Sequence, residues 1–166
     1  MKRWIAIIAA ILPVLGFQAG RADFSGKWSL DLQQSSHLSA AFKNVTSYVM
    51  DVTNGNDSMV ISTWMKGSGQ EVTFPPTVYR FDSSEVFRED TLRGTKRWIR
   101  AWWAPGRKLT VYNRVIQTRG TTVQQYTQTD VWEAKDRDTL FLSTKRRFVR
   151  NDSTAQEQRI FRRVAK

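Results

Sequence analysis

The sequence predicts an all-β fold, an antiparallel up-and-down β-barrel of about eight to ten strands with one short helix. Nearly every segment after Asp23 is rich in Thr, Val, Tyr, Trp and Phe, the composition typical of strands. Turn-forming residues separate these segments, and consecutive hairpins place neighbouring strands antiparallel. Closing so long a meander removes its exposed edges. A β-sandwich is the alternative architecture.

Residues 1–22 have the three parts of a secretory signal peptide, and residues 23–166 are then one domain. A basic start precedes an apolar run from Trp4 to Phe17, and small residues lead to Ala22. The apolar run is shorter than the roughly 20 residues of a membrane-spanning helix, so a membrane anchor is the less favoured alternative. A leader this short is typical of bacteria, and we expect a periplasmic or secreted protein without a membrane span.

The net charge indicates which class of partner the protein could bind, and the cysteine count indicates how the domain is stabilised. The whole chain carries a net charge of +11, and removal of Lys2, Arg3 and Arg21 leaves 23 basic against 15 acidic residues, a net charge of +8. Such a charge favours anionic partners, although it also suits a basic protein that is merely soluble. With no cysteine, the domain depends on apolar burial rather than on disulfides.

The first predicted strand, 27–32, places Trp28, Leu30 and Leu32 on one side. Residues 36–43 have helical spacing and predict the short helix. Pro75 and Pro76 are expected to end a strand, because proline cannot donate to a sheet ladder. The remaining strands are predicted at 45–53, 58–65, 72–74, 77–81, 85–88, 95–103, 108–117, 121–133, 139–149 and 156–164.

The opening phrase "DFSGKWSLD", with Gly26 two residues before Trp28, resembles the start of bacterial exported lipocalin-like (calycin-type) proteins. The later phrases "TDVWE" and "TLFL" are similar to the penultimate hairpin of that group. The resemblance implies a barrel that holds a small, mostly apolar ligand. It also implies a structural barrel end, in which a late arginine covers Trp28. Arg159 is the arginine chosen for this role, with Arg162 and Arg163 as alternatives on the same strand.

Strand register decides which side chains face the barrel interior. A three-residue "TRG" loop pairs Gln117 with Thr121, and the "AKDRD" turn then pairs Glu133 with Asp138. One resulting face is aliphatic, with Leu109, Val111, Val115, Val123, Val131, Leu140 and Leu142. The other is aromatic and polar, with Tyr112, Arg114, Tyr126, Gln128, Asp130, Trp132 and Lys145. A slip of one residue would exchange the faces.

Either face could line the interior, and the two choices predict different functions. If the aromatic face points inward, its arginines grip an anionic ligand, or Asp130 pairs with them. If it points outward, it forms a basic aromatic patch suited to a polymer. The predicted ligand-binding residues are Trp98, Arg100, Trp102, Tyr112, Arg114, Tyr126 and Gln128.

Residues suited to catalysis are scarce. His37 is the one histidine, and without cysteine the usual transition-metal cages are excluded. Glu85, Glu89 and Asp90 cluster, but arginines lie among them, which favours a salt-bridged hairpin over an acid–base pair. We expect no cofactor and no metal, and an enzyme is the least favoured class.

The sequence therefore predicts an exported lipocalin-like protein that binds a small amphipathic or anionic ligand. The alternative is an interaction protein whose basic aromatic surface binds an anionic envelope polymer or a protein; nucleic acid is not the expected partner. An internal cavity lined by the predicted residues would favour the first hypothesis. A filled interior, with those residues on the outer surface, would argue against it.

Overall fold

The computed structural model describes residues 20–91 and 93–165 of the chain. Most of the predicted signal peptide, residues 1–19, lies outside the described residues. The described part contains ten strands and one 3-10 turn. The strands are β1 (Gly26–Leu30), β2 (Val45–Asn54), β3 (Ser58–Gly67), β4 (Gln70–Arg80), β5 (Val86–Asp90), β6 (Thr95–Ala104), β7 (Lys108–Arg119), β8 (Thr122–Ala134), β9 (Thr139–Phe148) and β10 (Thr154–Arg163).

All ten strands belong to one antiparallel sheet in the order β4-β3-β2-β1-β10-β9-β8-β7-β6-β5. Strand β1 pairs with both β2 and β10, so the two ends of the meander meet in the middle of the sheet. The sheet curls into a half-barrel and leaves β4 and β5 as its edge strands. The connection after β4 leans on β6, where the Ser83 N–H donates to the Ala101 carbonyl at 3.2 Å. The predicted all-β antiparallel fold is confirmed.

Strand β4 continues through Pro75 and Pro76, so the prediction that these prolines end a strand is wrong. The pairing of β3 with β4 shifts between Ile61 and Thr63, at the level of the prolines. Strand β4 lies at the sheet edge, where a missing N–H costs no ladder bond on the open side. A bulge on an edge strand is the place where a sheet tolerates proline.

Side chains alternate between a concave and a convex face of the curled sheet. Most of the buried core lies on the concave face, because the curl brings side chains of distant strands together there. Phe24, ahead of β1, stacks on Trp103 with ring centroids 5.7 Å apart and also contacts Trp132. The buried concave residues are Trp28, Leu30, Met50, Val52, Met59, Ile61, Ile99, Ala101, Leu109, Val111, Trp132, Leu140, Leu142 and Phe161.

Trp28 closes one end of this core, and we call that end the closed end. Its side chain is 1 % exposed, and its Nε1 donates to the Phe24 carbonyl at 2.8 Å. Arg163, and not Arg159, is the arginine that covers the Trp28 ring, with its Cζ 4.2 Å from the ring centroid. Arg159 is four residues earlier on β10 and lies over Phe42 instead.

The opposite, open end carries the 3-10 turn η1 (Ala40–Phe42), which is all that forms of the helix predicted at 36–43. Phe42 packs against Tyr48 of β2 with ring centroids 5.5 Å apart. Within residues 20–91 and 93–165, the structure has no helix with the length and hydropathy needed to span a bilayer.

Candidate functional site

Both predicted registers are wrong by three residues. Gln117 pairs with Gln124 rather than with Thr121, because the β7–β8 loop is the two-residue turn Gly120-Thr121. Glu133 pairs with Phe141 rather than with Asp138. An odd slip moves every side chain of β8 to the other face relative to β7. The concave face therefore combines aliphatic residues of β7 and β9 with aromatic and polar residues of β8.

The seven predicted ligand-binding residues do not form one site. Tyr126 and Gln128 share the concave face with Val115 and Asn113, their partners on β7. The other five alternate with the buried concave residues Ile99, Ala101 and Val111, and they lie on the convex face. These five are Trp98, Arg100, Trp102, Tyr112 and Arg114.

A chain of hydrogen bonds joins buried polar residues on the concave face. Asp130 accepts from the Thr144 hydroxyl at 2.6 Å and from the Gln128 amide at 2.8 Å. Gln128 in turn accepts from Nε of Arg146 at 2.7 Å. These residues lie on the adjacent strands β8 and β9, at register positions that face each other or lie diagonally across the pair. These hydrogen bonds connect the buried carboxylate of Asp130, through Gln128, to the guanidinium of Arg146.

Glu157 on β10 completes this concave charged cluster. Its two oxygens accept from Arg146 at 2.5 Å and from Arg159 at 2.6 Å. The Glu157 side chain is only 2 % exposed, whereas Arg146 and Arg159 are 20 % and 11 % exposed. The two arginines therefore cover the carboxylate and reach the solvent-facing side of the cluster.

The pKa values of the two buried carboxylates are shifted in opposite directions. Burial raises the pKa of Asp130, and the hydrogen bonds from Thr144 and Gln128 only partly offset it. Burial also acts to raise the pKa of Glu157, but the charges and hydrogen bonds of Arg159 and Arg146 outweigh it. The pKa of Glu157 therefore lies below its ordinary value, and this carboxylate is ionised at neutral pH.

Two further arginines face the concave side at the open end. Arg88 on β5 pairs directly across the strands with Arg97 on β6, one step from the core pair of Val86 and Ile99. Like charges directly opposite each other destabilise a sheet. No ion pair or hydrogen bond of either guanidinium is found in the described part of the chain. We call these two residues the open-end arginine pair.

Exposure along the concave face changes from one end to the other. At the closed end, Met59, Leu109 and Leu140 are 0 % exposed, so the core there is dry and filled. At the open end, inward-facing Tyr126 and Arg146 are half-buried, which means that solvent reaches them. Any molecule held by the concave face would enter from the open end.

The convex face holds a separate group of charged and aromatic side chains. The Cζ of Arg114 lies 4.5 Å from the centroid of the Trp98 ring. Phe87, 49 % exposed, packs against the same ring with centroids 5.2 Å apart. Glu85 lies 3.3 Å from Nε of Arg100 and 4.0 Å from Nη2 of Arg114. One carboxylate thus orients two guanidinium groups on the outer surface.

Groups suited to catalysis or metal binding are not brought together among residues 20–91 and 93–165. No cluster of three or more His, Asp or Glu side chains there has metal-binding geometry. His37 lies in an exposed loop beside Ser36, which pairs with Gln158 of β10, and its side chain has no hydrogen bond or ion pair among the described residues. Glu89 pairs with Lys96 and Asp90 pairs with Arg93, so the predicted acidic cluster is an ion-paired hairpin.

Comparison with protein-family models finds no matching family for this chain, and comparison with curated proteins finds no match either. Function is therefore inferred from the geometry of the two faces.

Sequence reasoning named Asp130, gave Arg159 a different role, and missed Glu157, Arg146 and the open-end arginine pair. Glu157, Arg159 and Phe161 follow one another at every second position of a predicted strand, so they share one face. Two charged residues and one apolar residue on the same face of a predicted strand were the signal that this face is both charged and partly buried. Arg88 and Arg97 had no such signal, because only their pairing across β5 and β6 brings them together.

Proposed function

We propose that this protein binds a small amphipathic anion on the open half of its concave face, in the manner expected of a lipocalin-like protein exported by a bacterium. The observation that carries the proposal is a charge imbalance on that face. Four arginines line it (Arg88, Arg97, Arg146 and Arg159), against the carboxylates of Asp130, Glu157 and Asp90, the last of which ends β5 and pairs with Arg93.

A purely structural core does not explain these charges. Replacing a buried ion pair by apolar side chains is often neutral or stabilising, so a core gains little from Glu157 and its two arginines. The open-end arginine pair lowers the stability of the sheet, because its two cations repel each other across neighbouring strands. An anion held between them would remove the repulsion.

The arginines retain donors for such an anion. Arg146 uses Nε and Nη1 in the cluster, and Arg159 uses Nε and Nη2. A guanidinium has five N–H donors, so each can still offer N–H groups to a second carboxylate or to a sulfonate. Tyr126 and Gln128 lie on β8, between the open-end pair on β5 and β6 and Arg146 on β9. A ligand that reached from one group of cations to the other would therefore pass these two predicted site residues.

The neighbouring surface suits the apolar part of the ligand. Phe42, Tyr48 and Phe161 pack on one another next to Arg159. Met65 on β3 faces the same side and is half-buried. An anionic head at the arginines and an apolar body against these side chains together describe an amphipathic molecule.

The test uses two probes of similar shape and different charge: anilinonaphthalene sulfonate, which is anionic, and phenylnaphthylamine, which is uncharged. We expect the purified protein to bind the anion more tightly. Arg88→Gln with Arg97→Gln should weaken binding of the anion about tenfold, the size of one lost charge-assisted hydrogen bond, and change binding of the uncharged probe less than about twofold.

The matched control is Arg100→Gln with Arg114→Gln, which removes the same charge from the convex face. This variant should bind both probes as the unmodified protein does. Equal weakening of the anion in both double variants would overturn the proposal, since it would show a general effect of net charge. Failure of the unmodified protein to prefer the anion would also overturn it.

A further inference from the structure

The convex face presents cations that are held in place by aromatic rings. Arg114 lies over Trp98, and Lys135 lies over Phe141 with Nζ 5.2 Å from the ring centroid. A ring under a guanidinium or an ammonium restricts its motion and lowers the entropy lost when an anion binds. Glu85 orients Arg100 beside Arg114. We define the convex basic face as Trp98, Arg100, Trp102, Tyr112, Arg114 and Lys145.

This face continues into a hollow of about 340 Å³ on the same side of the sheet. The hollow is lined by Lys108, Lys135 and Phe141, and also by Glu133, which pairs with both lysines. Trp102 pairs with Thr110, which pairs with Val131 at the edge of the hollow, so the two surfaces are joined across three strands. The joined surface runs across the strands without interruption and can therefore accept an extended chain.

We propose that the convex basic face binds a linear acidic polysaccharide. Outward-facing cations of β6 to β9 outnumber the carboxylates that face outward beside them. The cations are Lys96, Arg100, Lys108, Arg114, Lys145 and Arg147, and the carboxylates are Glu85, Glu89, Glu133 and Asp152, which pairs with Arg147. Guanidinium groups bind carboxylates through paired N–H donors, which suits the repeated carboxylates of such a polymer.

Two other classes of macromolecule fit this face less well. Single-stranded nucleic acids bind by stacking bases on open aromatic faces, but Arg114 already covers Trp98, and Phe87 packs against the same ring. Stable protein interfaces have an apolar centre, whereas the large exposed apolar side chains on this side, Phe87 on β5 and Val123 on β8, lie on strands that are not neighbours. An acidic polysaccharide bound through its carboxylates needs neither an open ring nor an apolar centre.

The experiment measures binding of polygalacturonate at low ionic strength, with its fully methyl-esterified form as the uncharged control and oligothymidylate as the nucleic-acid control. We expect the protein to bind polygalacturonate, to bind the ester at least about tenfold more weakly, and to lose affinity as salt is added. Arg100→Gln with Arg114→Gln should weaken polygalacturonate binding about tenfold and reduce its salt dependence.

The matched control is Arg137→Gln with Arg150→Gln, which removes the same charge from exposed turns at the two ends of the sheet. This control should change binding less than about threefold. Equal weakening by both double variants, or tighter binding of oligothymidylate than of polygalacturonate, would overturn the proposal. The concave variant Arg88→Gln with Arg97→Gln should leave polygalacturonate binding intact, so the two proposals can fail separately.

Discussion

Arg163 lies over the ring of Trp28 at the closed end of the sheet, with its Cζ 4.2 Å from the ring centroid. The same guanidinium donates to the Ser25 carbonyl at 2.8 Å and to the Arg137 carbonyl at 2.7 Å. It therefore joins the segment before β1, the β8–β9 turn and the last strand. The closed end depends on this one side chain to satisfy backbone groups and to cover the buried indole.

Arg163→Gln should lower the free energy of unfolding by about 1–3 kcal/mol, through loss of the cation–π contact and of hydrogen bonds from a charged group. Arg163→Lys keeps the charge but not the planar fork, and we expect it to lose part of that stability. Urea unfolding followed by tryptophan fluorescence measures both. A lysine variant less stable than the glutamine variant would contradict the assigned role of the charge.

Gly26 has a backbone conformation that favours glycine, and a side chain there would also displace the guanidinium of Arg163 from its place over Trp28. Its φ is +125°, and the Nη1 of Arg163 lies against the position of a Cβ. Gly26→Ala should destabilise the protein by more than about 1 kcal/mol, since it adds steric conflict to backbone strain. Gly69→Ala is the matched control: the φ of Gly69 is +75°, and nothing lies within 4 Å of its Cβ position. Equal loss of stability in the two variants would show that strain alone decides.

Two buried tryptophans differ in one hydrogen bond. The indole N–H of Trp28 donates to the Phe24 carbonyl, whereas the indole N–H of Trp132 is buried without a partner in the described structure. Replacement by phenylalanine removes ring volume at both positions. Trp28→Phe leaves the Phe24 carbonyl without its donor, whereas Trp132→Phe removes an N–H donor that has no acceptor among the described residues. We expect Trp28→Phe to cost about 1–3 kcal/mol more than Trp132→Phe. Chemical denaturation of the two variants measures the difference, and equal costs would contradict it.

Asp130 and Glu157 should give opposite dependences of stability on pH. Glu157 has a lowered pKa, so its contribution is present above the ordinary glutamate pKa and is lost as the pH falls through the folded-state value. Asp130 has a raised pKa, so its contribution is present in acid and is lost as the pH rises through the folded-state value.

Glu157→Gln should therefore be less stable than the unmodified protein at pH 7, by about 1–3 kcal/mol, with the difference shrinking below roughly pH 4. Asp130→Asn should gain stability relative to the unmodified protein as the pH rises above roughly 4. Thermal unfolding of the two variants and of the unmodified protein, at pH values from roughly 4 to 7, measures both differences in stability. Parallel pH profiles for the two variants would contradict the different environments of the carboxylates.

Arg97→Glu converts the open-end arginine pair into an ion pair across β5 and β6. Stability should rise by a few tenths of a kcal/mol, the size of a favourable cross-strand pair on an exposed strand. Binding of anilinonaphthalene sulfonate should fall at the same time, because a carboxylate replaces a cation on the concave face. A variant that is more stable and yet binds the anion normally would show that the pair takes no part in binding.

Alternation along single strands was readable from the sequence, whereas the pairing of strands was not. The positions of Trp98, Arg100 and Trp102 show that they share one face, and the structure agrees. The pairing of β6 with β7 sets the side on which these three lie, whereas the side of the β8 residues depended on the two-residue turn at Gly120-Thr121, where a three-residue loop was predicted. Since successive side chains alternate, that slip of three residues put Tyr126 and Gln128 on the concave face. They were predicted to share a face with Tyr112 and Arg114, which lie on the convex face.

The sequence by itself determined the all-β class and the buried position of Trp28, because composition, turn residues and alternation are local properties. Only the tertiary structure decided that Arg163 covers Trp28, that Glu157 joins Arg146 to Arg159, and that Arg88 faces Arg97. Each of these contacts depends on which strands are neighbours and in which register. Register is set by the curl of the whole sheet and by its turns together, and no single segment of the chain contains that information.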